Sequence, residues 1–380
     1  MMLTGLSGNE IYCLALKGWA PSNIVVGNSV HSLGVLGGLS SSLRTLAGGE
    51  VANITQMIVD GRHAAIKRLE DEAQREQAHG LTGVVSELKT VGGLMEFLAI
   101  GSAIRGQNYD GPFFSTACSG QELYCQMDAG YLPRHFVMGN VAYALGVSRG
   151  LLGMVRQFAG GEVKEYSDMY NHTRHLALER LEKEAHERGA NAVVDIITRI
   201  LPYGPGIREM LMVGTASYNP ALGRPDRPVT SELTGEELWN LTQLGYAPLR
   251  LVLGTSVYAI GFSGGLSSWL QSFGRGEIDA VTRLVYEARE NCLAHIRKEA
   301  QEIGADGVIG IKLFVNELSR GLVEVMAVGT AFKRVPGVST QSKALVPQAV
   351  IRDRDTFFDE AGPLGNAIGM EKARNLFRGG

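Results

Sequence analysis

The sequence predicts an α/β (α+β) chain of three tandem two-layer domains, each a small, mainly antiparallel sheet carrying one long helix. Three observations predict it: a set of phrases returns twice at nearly constant spacing, each copy holds one long helical stretch, and two β-rich stretches close each copy. Gly18, Gly130 and Gly245 are offset by 112 and then 115 residues, and Glu96, Glu209 and Glu324 by 113 and 115. Arg62, Arg174 and Arg289 correspond, as do Glu72, Glu184 and Glu299. The copies span residues 1–105, 118–217 and 230–332, joined by Gly-, Pro- and Asn-containing linkers and followed by a tail, 333–380.

Each copy opens with a capping box, Ser7 with Glu10, Ser119 with Glu122 and Thr234 with Glu237, which satisfies orphan amides at a helix start. The short helix stops at Gly18, Gly130 or Gly245, where a left-handed cap suits a residue without Cβ. A proline and a β-rich stretch follow, 23–30, 134–144 and 250–260, with Gly27, Gly139 and Gly254 inside; an internal glycine signals a bulge or close backbone approach. Small-residue helices are expected near 39–46, 151–158 and 266–273. The long helices are expected at 51–78, 163–187 and 278–302. Closing strands are expected at 82–88 with 93–103, 192–200 with 207–216, and 307–314 with 321–331.

Composition narrows the function classes. The 380 residues are 45% hydrophobic and 20% charged, a globular balance, and the formal charge of −3 leaves no electrostatic footprint for nucleic acid or acidic membranes. No apolar run is long enough to span a bilayer, the N-terminal residues lack signal-peptide order, and four cysteines make no disulfide framework. A cytoplasmic protein is the expectation. No phosphate-binding loop and no nucleophile elbow is present, so the chain reads as non-enzymatic.

The run from Gly160 to Val194, Gly-Gly-Glu-Val, then Arg-x-x-Ala-Leu-x-x-Leu-x-x-Glu-Ala, then Gly-Ala-Asn-Ala-Val-Val, resembles the YbjQ-like family, and the likeness continues through 209–216. It recurs more weakly in the other copies. The resemblance implies small two-layer domains, similar also to a dodecin subunit, that assemble as pentameric rings; the family carries a heavy-metal-binding label. Triplication bears on symmetry, because three domains cannot close one five-membered ring. Five chains in three stacked rings, or copies shared among rings of a closed shell, are the expected solutions. The chain's main partner is therefore expected to be itself, with the tail extended or docking on a partner or a neighbouring subunit.

Four side chains offer metal chemistry. Asp168, His172, His175 and Glu179 step by 4, 3 and 4 and share one helical stripe, a sensible donor set for a divalent metal. Its plainer reading is a solvated polar face. A metal- or small-ligand-binding homo-oligomer is the alternative function that rests on it. Arg149, in the glycine-rich turn 146–150, suits an anion. Cys13, Cys118 and Cys125 read as small buried hydrophobes.

The recurrent charges carry the strongest expectation. Arg62, Arg174 and Arg289 fall on the apolar side of their helices, and Glu96, Glu209 and Glu324 share strand faces with apolar residues. A charge buried alone costs several kcal/mol, so each is expected in an Arg–Glu pair that ties helix to sheet or one subunit to the next. A ring of carboxylates that binds a cation is the functional alternative.

Overall fold

The computed structural model describes residues 1–32, 49–91, 94–144, 161–204, 207–259, 279–319 and 322–349. Arg149, the glycine-rich turns, the small-residue helices and the tail beyond 349 lie outside the described residues.

Repeat 1 runs α1 (Gly8–Ala15), β1 (Trp19–Ser32), β2 (Gly49–Glu50), α2 (Ala52–Arg75), β3 (Gly80–Val91) and β4 (Leu94–Gly106). Repeat 2 runs β5 (Phe114–Ser115), α3 (Gly120–Asp128), β6 (Leu132–Ala144), β7 (Gly161–Glu162), α4 (Lys164–Glu187), β8 (Ala192–Gly204) and β9 (Ile207–Tyr218). Repeat 3 runs β10 (Val229–Thr230), α5 (Gly235–Gln243), β11 (Tyr246–Ala259), α6 (Asp279–Glu302), β12 (Gly307–Ser319) and β13 (Leu322–Arg334). All three short helices carry a complete capping box. The glycines that end them have φ of +78°, +86° and +79°, the left-handed region that a Cβ disfavours.

The first strand of each repeat begins earlier than its composition suggests and takes in the proline. Pro21, Pro133 and Pro248 each sit where the register against the closing strand shifts, and a bulge tolerates a residue with no N–H to give. That strand lies antiparallel to the last strand of its repeat, which pairs with the third, so the orders are β1-β4-β3, β6-β9-β8 and β11-β13-β12.

The linkers are structured rather than mere spacers. β5, within the first linker, adds in parallel to β3, and β10, within the second, adds in parallel to β8. On the opposite edges, β2 of repeat 1 pairs with β6, and β7 of repeat 2 pairs with β11. Each junction between neighbours is thus sewn along two sheet edges.

The tail, as far as 349, folds back on its own chain. Gln341 and Ser342 donate backbone amides to the Asp128 carbonyl and carboxylate, at 2.8 and 3.0 Å, and Ala349 packs in one cluster with Cys13, Cys125 and Trp239. For these residues the structure shows docking on the short helices of the same chain, where Ala349 is buried and Leu345 and Val346 are partly buried.

Candidate functional site

The long helices α2 and α4 are each buried on two sides. The helix α4 packs Ala177, Leu181 and Ala185 among Val137, Met210 and Met212 of its own sheet. The same cluster runs into Leu251, Leu253 and Val257 of repeat 3. In the same way α2 covers Phe97 and Ala99 of its own repeat and Phe136, Met138 and Leu211 of repeat 2. Fully burying one such side chain contributes about 1.5–3 kcal/mol, so most of the adhesion between repeats is apolar.

At the centre of each joint sits an ion pair. The Arg62 guanidinium donates from Nε and Nη2 to the two carboxylate oxygens of Glu209, at 3.1 and 2.7 Å, and both side chains are fully buried. Its Nη1 donates to the carbonyl and hydroxyl of Ser86, at 3.2 and 3.0 Å, and Asn140 donates to Glu209 at 3.2 Å. At the second joint Arg174 donates through Nε and Nη2 to one oxygen of Glu324, at 3.2 and 2.7 Å, again fully buried. Asn316 satisfies the other oxygen at 3.2 Å. Arg174 also lies over the rings of Tyr143 and Tyr170, 4.6 and 5.4 Å from their centroids, so π-faces replace part of the polar shell. Burial alone would push the Arg174 pKa down, but the Glu324 carboxylate more than reverses this and keeps it charged. In both joints the arginine of one repeat meets the glutamate of the next, not that of its own repeat.

A second polar contact flanks each pair. His63 on α2 meets Glu184 on α4 at 3.2 Å, and His175 on α4 meets Glu299 on α6 at 2.5 Å. The other oxygen of each glutamate accepts a backbone N–H from its own sheet, Met138 at 3.0 Å and Leu253 at 3.1 Å. The hydrogen bond to Glu184 holds His63 above its ordinary pKa, against partial opposition from burial. For His175 burial opposes protonation most strongly, and the hydrogen bond and charge of Glu299 outweigh it, so its pKa is also raised. A histidine raised in the folded state binds more proton folded than unfolded. Its stabilisation is therefore complete below about pH 6.5 and is lost as pH rises through the raised value. Stability measured by urea denaturation is expected to fall between mildly acidic and mildly alkaline pH, and His175→Gln is expected to flatten that slope. An unaltered slope in the variant would remove His175 from the account.

This contact also answers for the metal stripe. Asp168, His172 and Glu179 are exposed, while His175 gives Nε2 to Glu299 and places Nδ1 2.8 Å from the Asn171 carbonyl. The structure does not gather the four, and among the described residues no group of three or more His, Cys, Asp or Glu is placed to hold a metal. Cys13, Cys118, Cys125 and Cys292 are all buried and free, and burial pushes the Cys292 thiol up to about 12. Neutral, enclosed thiols of this kind act as packing groups.

Asp128 carries a role that the sequence reading did not find. Its side chain is fully buried, takes Lys17 at 2.6 Å and the Trp239 indole N–H at 2.7 Å, and accepts both the amide and hydroxyl of Ser342. It joins the turn after α1, α3, α5 and the tail. Burial pulls its pKa up, but these donors together hold it below the ordinary carboxylate value. Leu16 and Gln243 occupy the matching positions of the other repeats, so no recurrence marks it.

No helix among the described residues is long and apolar enough to cross a membrane. Comparison with known proteins matches the YbjQ family, described as "Putative heavy-metal-binding", three times, at residues 20–107, 133–219 and 245–334. The chain is 30% identical over 236 residues to an encapsulin nanocompartment protein, Rv1762c, of Mycobacterium tuberculosis, covering 59% of this chain and 88% of that one. It is 38% identical over 80 residues to a UPF0145 protein of Thermotoga maritima, covering 21% of this chain and 76% of the relative. A UPF0145 protein of Methanocella arvoryzae is 35% identical over 81 residues, with coverage of 21% and 68%. With the family matched over most of its length, and its two-layer repeats in place, the chain belongs to the YbjQ family, of which it carries three tandem copies.

Proposed function

We propose that this chain is a non-enzymatic structural protein that assembles with copies of itself into a closed shell or ring-based particle within the cytoplasm. The observation that carries the reading is the double burial of α2 and α4. A repeat that uses its helix to cover both its own sheet and the next one is built to be placed in a row, as in other repeat architectures. The likeness to an encapsulin nanocompartment protein supports a shell as the product of that row.

The row also constrains the symmetry. Both internal joints are of one kind, so the three repeats stand side by side in one row rather than in three separate rings. Any ring closed by that joint alone holds a multiple of three repeats, and five-fold symmetry then enters as five whole chains. Light scattering on the purified chain, with negative-stain images of the same sample, tests the reading. A large uniform particle, or rings containing whole chains, is expected. A stable monomer at micromolar concentration would overturn it.

A further inference from the structure

We infer that the two ends of this row are the halves of a third joint, completed when α6 of one chain docks on the outer face of the β1–β4 sheet of a second copy. The inference rests on the self-assembly reading and names the surfaces that carry it. The two internal joints supply the template, position by position.

On the first sheet, Ile24, Val26 and Val30 are 44–53% exposed. Their counterparts Phe136, Met138 and Ala142 in repeat 2, and Leu251, Leu253 and Val257 in repeat 3, are at most 4% exposed, because the preceding helix covers them. Leu94 is exposed where Ile207 and Leu322 are buried. Along β4 the burial alternates, with Met95, Phe97 and Ala99 inside on their own helix and Glu96, Leu98 and Ile100 only half covered. The matching stretch of β9 is buried on both faces. An apolar sheet face of this size, on a repeat whose two siblings have theirs covered, lacks only its helix.

On the last helix the complement is present. Arg289 stands where Arg62 and Arg174 stand, is partly covered, and its Nε is buried without a hydrogen-bond partner among the described residues. Thr282 is exposed, whereas Thr55 and Ser167 at that position accept the backbone N–H of Ala142 and Val257 across their joints, at 3.0 and 2.8 Å. The equivalent amide on the first sheet belongs to Val30. Glu96 is already oriented, since Asn28 donates to it at 3.3 Å as Asn140 does to Glu209. The sheet edges agree as well. β3 and β8 each carry a short parallel strand from the following repeat, and β12, their counterpart, ends its sheet. The segment that matches those short strands is 2–3 of a second copy, where Met2 and Leu3 are exposed.

One position breaks the template. Where His63 faces Glu184 and His175 faces Glu299, repeat 3 has Glu290, which in the third joint faces Glu72. Two carboxylates there make the joint between chains weaker than the two within a chain. The single chain is thereby the stable unit, and its association is the adjustable step.

A charge exchange in the full-length chain tests the inference, read as particle mass against concentration by sedimentation velocity. Arg289→Glu and Glu96→Arg are each expected to raise the concentration for half-assembly about 100-fold or more, as expected for one broken buried pair. Combining Arg289→Glu and Glu96→Arg in one chain is expected to restore assembly, because the reversed pair then forms at every joint between chains. Glu290→His is expected to shift assembly to lower concentration. Both charge positions are only partly covered in the single chain, so circular dichroism should remain that of the wild type. Wild-type assembly with either single variant assembling normally, or with no recovery in the double variant, overturns this joint and leaves the self-assembly reading standing. A wild-type chain that stays monomeric overturns both.

Discussion

Arg174→Ala is expected to destabilise the chain by about 3–5 kcal/mol, the usual cost of removing one partner from a fully buried ion pair. The Glu324 carboxylate is left at 0% exposure with Asn316 as its remaining donor among the described residues, and Tyr143 loses the guanidinium that donates to its hydroxyl at 2.9 Å. The residue joins two repeats, so its loss weakens a junction rather than a single core. Denaturant unfolding followed by circular dichroism is expected to split into two transitions, with repeat 3 uncoupled from repeats 1 and 2. A second substitution distinguishes lost attraction from an orphaned charge. Arg174→Met combined with Glu324→Leu removes both charges, and a large part of the stability is expected to return. Unchanged melting in Arg174→Ala would mean that the pair contributes nothing beyond filling space. Arg62→Ala acts on the first joint in the same manner, with the loss of the bonds to Ser86 added.

The sequence showed that these arginines and glutamates needed partners, but not which partners. Helical position placed Arg174 on the apolar side, and strand alternation placed Glu209 and Glu324 among apolar neighbours. Neither pattern says which layer lies against which face. A sheet covered on one side and a sheet covered on both differ only in how apolar the outward positions are. Repeat 1 reads Ile24, Val26 and Val30 outward, which is scarcely less apolar than Phe136, Met138 and Ala142. The distinction lies in what packs there, which is tertiary. The capping boxes, the stop glycines and the long helices were legible because each is a local signal of a few residues. β5 and β10 were not, since two-residue strands such as Phe114–Ser115 and Val229–Thr230 leave no periodicity to read. The metal stripe failed for a related reason. Spacing put His172 and His175 on one side of α4, but it could not show that His175 turns to Glu299 on the neighbouring helix. Asp128 escaped because its partners are hundreds of positions apart in some cases, as with Ser342, and because only one repeat carries it.

Gly139→Ala is expected to cost about 3 kcal/mol, at the upper end of what one added methyl does in a packed interior. A Cβ at that position lies 2.0 Å from the Ala177 carbonyl oxygen and 2.6 Å from the Leu181 amide nitrogen. Both obstacles are helix backbone, so no change of rotamer relieves the clash, and α4 must lift away from β6. Because α4 is held between two sheets, lifting it from one presses it toward the other and disturbs the Arg174–Glu324 geometry. The entropy that alanine removes from the unfolded chain returns only about 0.4–1 kcal/mol. Gly214→Ala is the control in the same sheet. A Cβ there meets the Val193 Cγ1 methyl and the Ile196 Cγ1 methylene first, at 2.9 and 3.1 Å, with the Val194 carbonyl at 3.3 Å. These first contacts are side-chain atoms, which can shift where backbone cannot, so a cost below about 1 kcal/mol is expected. Thermal melting of the two variants side by side separates backbone contact from side-chain crowding. Equal melting temperatures would mean that α4 can rise freely, and the distance between helix and strand would then be set by the joints on its other face.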